Sequence, residues 1–139
     1  MAQYFLDTHI VTWLLTENKQ LDKNLRFDIQ YPHGDQYLIS EFVILELTHL
    51  KQLGKIQYKG SSMDLFNSLA SINIKIEPTT QKVFESLEKL PILTINRDHH
   101  TEMIDRIIIA DCIAYKYTMI SHDQKFPYYR EYGLKLLEA

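Results

Sequence analysis

Short apolar runs alternate with longer segments of helical period along this chain, and that alternation limits the fold more than any other feature. Tyr4-Phe5-Leu6 reads as a central strand. Asp7-Thr8 then offers an N-cap to a helix carrying Ile10, Val11, Trp13, Leu14 and Leu15. Leu21 to Ile29 reads as a short second helix and Tyr31 to Asp35 as a loop. Tyr37-Leu38-Ile39 is a second strand. Ser40 caps the next helix, in which Val43, Leu47, Leu50 and Leu53 recur at helical spacing before a stop at Gly54. A further helix covers Ser62 to Ser71. Ile72, Ile74 and Ile76 alternate with polar residues, the pattern of a half-buried edge strand. Thr79 or Thr80 caps a helix with Val83, Phe84, Leu87 and Leu90 on one face. Ile92 to Thr101 reads as a polar loop. Glu102 to Tyr115 is a helix apolar over most of its circumference, so burial is expected. Tyr117 to Ile120 is a strand, Gln124 to Tyr129 a turn or short helix, and Leu134 to Leu137 a last strand. Strands alternating with helices predict an α/β fold.

Nothing divides the 139 residues: no repeat or linker occurs, and Gly and Pro, four each, are scattered, so residues 1–139 read as one domain. The single cysteine, Cys112, excludes an internal disulfide and fits a reducing cytoplasm. No signal peptide is visible before Asp7, and no apolar run approaches the roughly 20 residues needed to span a bilayer. A soluble, cytoplasmic protein without a membrane partner is expected. The net charge is −3. A passive nucleic-acid binder usually carries a basic surplus; a site built of carboxylates that recruits cations is compatible with this balance, because bound divalent ions reverse the local field.

Four acids stand in apolar surroundings, where an unpaired carboxylate costs several kcal/mol to bury. Asp7 follows the first strand and Asp123 the strand Tyr117–Ile120. In an open parallel sheet, sites form at the carboxyl ends of strands. Glu46 lies on the apolar stripe of Val43, Leu50 and Leu53. Asp105 precedes Ile108, Ile109 and Cys112 on one face, in the first turn of its helix, where the dipole favours an anion. Taken singly, Asp7 reads as a cap, Asp105 as a dipole-compensating acid, Asp123 as a turn residue, and Glu46 as a partner for Lys51. Together they form a pattern that four separate coincidences explain poorly.

Crowded carboxylates raise one another's pKa unless a cation sits between them, and oxygen-only ligation selects hard ions such as Mg²⁺ or Mn²⁺. Such an ion activates water and neutralises phosphodiester oxygens without a nucleophilic side chain. No Cys/His pattern has zinc spacing, and the adjacent His99-His100 read as loop residues or substrate contacts rather than ligands. No phosphate loop or Ser-His-Asp signature competes. Asp111, further along the Asp105 helix, reads as a structural or supporting acid.

These residues resemble a PIN domain, in particular the VapC-type toxins of bacterial toxin–antitoxin pairs, over nearly the whole chain. Phe5-Leu6-Asp7-Thr8-His9, with Trp13-Leu14-Leu15, is similar to the first acidic motif. Ile39-Ser40 through Leu45-Glu46-Leu47 and on to Leu53-Gly54-Lys55-Ile56 resembles the second. Met103-Ile104-Asp105-Arg106-Ile107-Ile108-Ile109-Ala110 resembles the third, and Ile120-Ser121-His122-Asp123 with Phe126 the fourth. The resemblance implies a three-layer Rossmann-like sandwich with strand order 3-2-1-4-5. It also implies a Mg²⁺- or Mn²⁺-dependent endoribonuclease using Asp7, Glu46, Asp105 and Asp123 as catalytic acids and metal ligands. Thr8 and Ser121 would assist the site; separately, the nearness of Arg97 and Arg106 to the third motif suggests that one of them contacts RNA phosphates. A small antitoxin and a second copy of the chain would be its protein partners. Phe42, Leu65 and Phe66 read as either a docking groove or core. The sequence departs from the family at Leu45, where a tryptophan often stands, and across Arg97 to Ile104, which is longer than usual and lacks proline.

The sequence is also compatible with two rival functions. A PIN-like module without catalysis would bind RNA or protein, although all four acids are retained. Asp7-Thr8 faintly resembles the nucleophile of haloacid-dehalogenase-type phosphatases, but His9 stands where that family needs a second acid.

Overall fold

The computed structural model describes residues 1–139. Its first strand, β1 (Gln3–Leu6), lies at the centre of a five-stranded parallel sheet. Asp7 ends the strand and caps α1 (Thr8–Leu15), its Oδ1 accepting from the Ile10 amide at 3.1 Å. After α2 (Lys23–Gln30), β2 (Gln36–Ser40) pairs with β1. The Ser40 hydroxyl accepts from the Phe42 amide and starts α3 (Glu41–Gln52), and Gly54 follows the helix end at φ +68°, a conformation open to glycine without Cβ strain. Ser61 and Asp64 cap α4 (Ser62–Ser71) reciprocally. Then β3 (Ile74–Glu77) joins the edge beside β2, followed by α5 (Gln81–Lys89).

The chain next forms a small antiparallel hairpin, β4 (Thr94–Ile95) and β5 (Asp98–His99), before α6 (Met103–Tyr115). It returns to the sheet as β6 (Thr118–Ser121), on the other side of β1, and ends in a 3₁₀ helix (Phe126–Tyr132) and β7 (Lys135–Glu138). The order β3-β2-β1-β6-β7 is the expected 3-2-1-4-5 once the hairpin strands are set aside. Helices flank the sheet: α5 packs on α6, α3 touches both α1 and α6, and α4 lies along β3.

The core gathers Phe5, Leu6, Leu38, Ile39 and Met119 from the strands with Val43, Leu47, Ile108 and Ile109 from the helices, all essentially without solvent contact. As expected, α6 is buried along most of its length, Ile107 to Cys112 included. Truncating Ile108 or Ile109 to alanine would cost about 2–5 kcal/mol.

Two local expectations are corrected. Ile72 ends α4 as its C-cap rather than opening β3. The supposed polar loop Ile92–Thr101 contains the β4–β5 hairpin, whose two turn residues, Asn96 (φ 53°) and Arg97 (φ 72°), are both left-handed. Such turns normally signal themselves by Asn-Gly; arginine in the second position conceals this one. No helix is long and apolar enough to cross a membrane.

Candidate active site

The strand order reverses at β1: β2 leaves on one side and β6 on the other. That switch point opens a crevice at the carboxyl ends of β1 and β6, where α/β sheets bind ligands. Asp7 and Asp123 follow those two strand ends. The Asp7 amide donates to the Ile120 carbonyl at 3.2 Å, which fixes the first acid against the end of β6. Ser121 links the pair. Its hydroxyl donates to Oδ2 of Asp7 and accepts from the Asp123 amide at 3.0 Å. Asp123 Oδ1 in turn accepts from the Lys125 amide at 2.8 Å, so its turn role and its place beside Asp7 coexist.

The other acids come from helices. Asp105 lies in the first turn of α6 and is mostly buried; Glu46 lies on α3 and is half-buried. Lys51, the alternative partner for Glu46, places its Nζ on the Gly60 carbonyl instead. The four acids share one electrostatic field. Burial first, then Glu102, Asp123 and Glu46, push the Asp105 carboxyl well above the usual carboxylate range. Burial likewise raises Asp7, with Asp123 adding repulsion, while hydrogen bonds from Ser121 and Ile10 and the charge of His9 oppose the rise. No three of these four carboxylates bring ligand oxygens within 4.8 Å of one another.

That arrangement fits a hard divalent cation. The donors are oxygens, their mutual repulsion is relieved by positive charge, and Mg²⁺ keeps several waters while touching one or two carboxylates directly. A spread set of acids suits an ion that stays partly hydrated. Asp7, Glu46, Asp105 and Asp123 are the oxygen donors that would hold it.

Around this cluster the sequence-derived candidates divide. Thr8 is buried and, with His9, Glu46 and Lys55, lines a cleft of about 330 Å³. Arg97 stands exposed at the hairpin tip. Arg106 is 9% exposed; its Nη2 donates to the Leu90 carbonyl at 2.9 Å, tying α6 to the end of α5, while its Nη1 has no hydrogen-bond partner. Asp111 also stands apart. Burial, then Glu77 and Glu41, raise its carboxyl to about 7, and its Oδ2 has no hydrogen-bond partner.

Two further residues border the cluster. His100, read from the sequence as a loop residue or a substrate contact rather than a ligand, is only 4% exposed, with Nδ1 2.6 Å from the Tyr129 hydroxyl and Nε2 3.2 Å from Asp105 Oδ2. Burial lowers its proton affinity. Glu102 precedes α6, and its carboxylate lies within 4.8 Å of that of Asp105 and of the His100 ring nitrogen. The spacing His100-x-Glu102-x-x-Asp105 was their only visible signal. On the surface nearby, Phe42, Leu45, Phe84, Leu87, Met103 and Ile104 line an apolar groove of about 470 Å³. Of the apolar residues flagged for docking, Phe42 reaches this groove, Leu65 is core and Phe66 is exposed elsewhere.

A doubly crossed parallel sheet with acids gathered at its switch point defines a class of α/β proteins with a polyanionic site. Within that class this chain belongs to the PIN domain family, whose profile matches residues 4–132. Comparison with curated proteins gives no match. Among solved structures, the chain is similar to VapBC2 from Rickettsia felis bound to a DNA fragment from the pair's promoter, with 20% identity, 98% of each chain covered and a TM-score of 0.73. It is similar to VapBC-1 from nontypeable Haemophilus influenzae at 14% identity, covering 98% of this chain and 97% of that one, with a TM-score of 0.69. It also resembles a toxin–antitoxin complex from Klebsiella pneumoniae at 17% identity, covering 90% and 88%, with a TM-score of 0.55. At these identities the likeness establishes the fold.

Proposed function

We propose that this chain is a divalent-metal-dependent endoribonuclease of VapC type, acting as the toxin of a toxin–antitoxin pair in the cytoplasm. One observation carries the reading: Ser121 joins Asp7 to the Asp123 turn at the sheet's switch point, with Asp105 and Glu46 in the same field. Family membership supports hydrolysis of nucleic acid by such a cluster.

Each residue has a stated task. Asp7, Glu46, Asp105 and Asp123 supply negative charge for Mg²⁺ or Mn²⁺. When bound, such an ion lowers the pKa of water and stabilises charge on a phosphodiester. Ser121 fixes the Asp7 carboxylate, and α1 holds its other oxygen, so that acid is preorganised. Lys55 lies in the cleft shared with Glu46 and Thr8, where it offers a positive charge to an RNA phosphate. Arg97 is a second exposed cation for that purpose.

The partner reading draws on the groove beside α6. Leu45 and Phe84 are each more than half exposed there, an unusual use of large apolar side chains. An antitoxin segment with an apolar helix face is the proposed occupant, and a homodimer is the proposed assembly. The direct test incubates the purified chain, free of any partner, with labelled RNA. Cleavage in Mg²⁺ or Mn²⁺ that stops with EDTA supports the proposal; ion-independent cleavage, or none at any ion concentration, overturns it.

A further inference from the structure

One nitrogen donor stands beside the acids without a part in the reading above. The β4–β5 hairpin delivers His100 to the start of α6, and its backbone amide donates to the Leu93 carbonyl at 2.8 Å. The ring is locked from one side. Tyr129, itself fully buried, sets its hydroxyl 2.6 Å from Nδ1, and the two rings meet edge-on at 5.5 Å. The other nitrogen, Nε2, faces Asp105. A ligating histidine is held in this manner, with one nitrogen engaged by a supporting group and the other turned toward the ion.

Glu102 supplies a third donor. The ligand atoms of His100, Glu102 and Asp105 lie within 4.8 Å of one another, the only trio of His, Cys, Asp or Glu in the chain to do so. A cleft of about 310 Å³, lined by His100, Thr101, Glu102 and Lys125, opens beside them. The competing explanation is a set of closed ion pairs. Lys125 does reach Glu102, but at 3.5 Å and with both side chains well exposed, a contact of little worth that a bound cation readily displaces. His100 Nε2 also meets Asp105 Oδ2 at 3.2 Å, so an entering ion would take the place of that contact and be ligated by both groups.

We propose that His100, Glu102 and Asp105 form a mixed nitrogen–oxygen subsite that takes a first-row transition ion such as Mn²⁺ in preference to Mg²⁺. Imidazole ligation favours transition ions, whereas Mg²⁺ prefers oxygen. The inference rests on the nuclease reading only through Asp105, which the two share.

Pulsed electron paramagnetic resonance of the Mn²⁺-loaded chain tests it without any substitution. Coupling of Mn²⁺ to an imidazole ¹⁴N is expected in the wild type. His100→Gln should abolish that coupling and weaken Mn²⁺ binding about 10-fold or more, with Mg²⁺ affinity unchanged. Tyr129→Phe keeps the nitrogen but frees the ring, so the coupling persists while Mn²⁺ affinity falls. Bound Mn²⁺ without nitrogen coupling in the wild type overturns the subsite and leaves the nuclease reading standing. No Mn²⁺ bound at millimolar concentration overturns both.

Discussion

The hydroxyl of Ser121 donates to the carboxylate of Asp7, a contact between residues 114 positions apart that joins the two ends of the chain at the centre of the sheet. The register of β1 and β6 makes it possible: Leu6 pairs with Ile120, so the next residue on each strand arrives at the same edge together. The acid that caps α1 thereby also becomes part of a cluster.

Ser121→Ala should therefore affect activity more than fold. It removes the donor to Asp7 and leaves the Asp123 amide without its acceptor. A stability loss of about 1–2 kcal/mol is expected by denaturant unfolding. Metal-dependent cleavage should fall about 10-fold, as supporting-group losses do around metal sites. Ser121→Thr should restore most of the activity; failure of that rescue would argue against an orienting hydroxyl.

Asp105→Asn separates charge from shape. The carboxyl is pushed upward by burial, Glu102, Asp123 and Glu46, so removing its charge relieves repulsion without divalent ions. The variant should melt at a higher temperature than the wild type in EDTA, and RNA cleavage should drop at least about 100-fold. Retained cleavage would remove Asp105 from the catalytic set.

Asp111 gives a pH prediction. Its folded pKa of about 7 lies above the ordinary 3.8, so the folded state holds the proton more tightly. The stability this provides is complete below about pH 4 and is lost as pH rises through about 7. Asp111→Asn should gain on the wild type by about 4 kcal/mol more at pH 8 than at pH 4. His100, whose shift has the opposite sign, cancels in that comparison. Equal effects at both pH values would contradict the assignment.

At the hairpin, Arg97→Gly places the residue the left-handed turn favours where φ is 72°. A gain of up to about 1 kcal/mol in stability is expected. A parallel loss of RNA affinity would identify Arg97 as a phosphate contact.

The sequence disclosed the strands, the helices and the acidic positions because they leave periodic traces; the sheet order followed from the family resemblance alone. Asp7 and Asp123 end apolar strands, and Glu46 and Asp105 interrupt apolar helix stripes. His100 and Glu102 left no such trace. Their geometry depends on a hairpin whose Arg97 hides the turn, and on Tyr129, far along the chain in the 3₁₀ helix. The bond from Arg106 to the Leu90 carbonyl was equally hidden, because it depends on how the end of α5 packs on α6.

Calorimetric titration of Mn²⁺ into the wild type and into the Asp7→Asn/Asp123→Asn double variant tests the carboxylate site most directly. Saturable binding in the wild type, weakened at least about 10-fold in the double variant while its circular dichroism is retained, is the expected result. Equal affinity in the two proteins would show that these acids do not hold the ion.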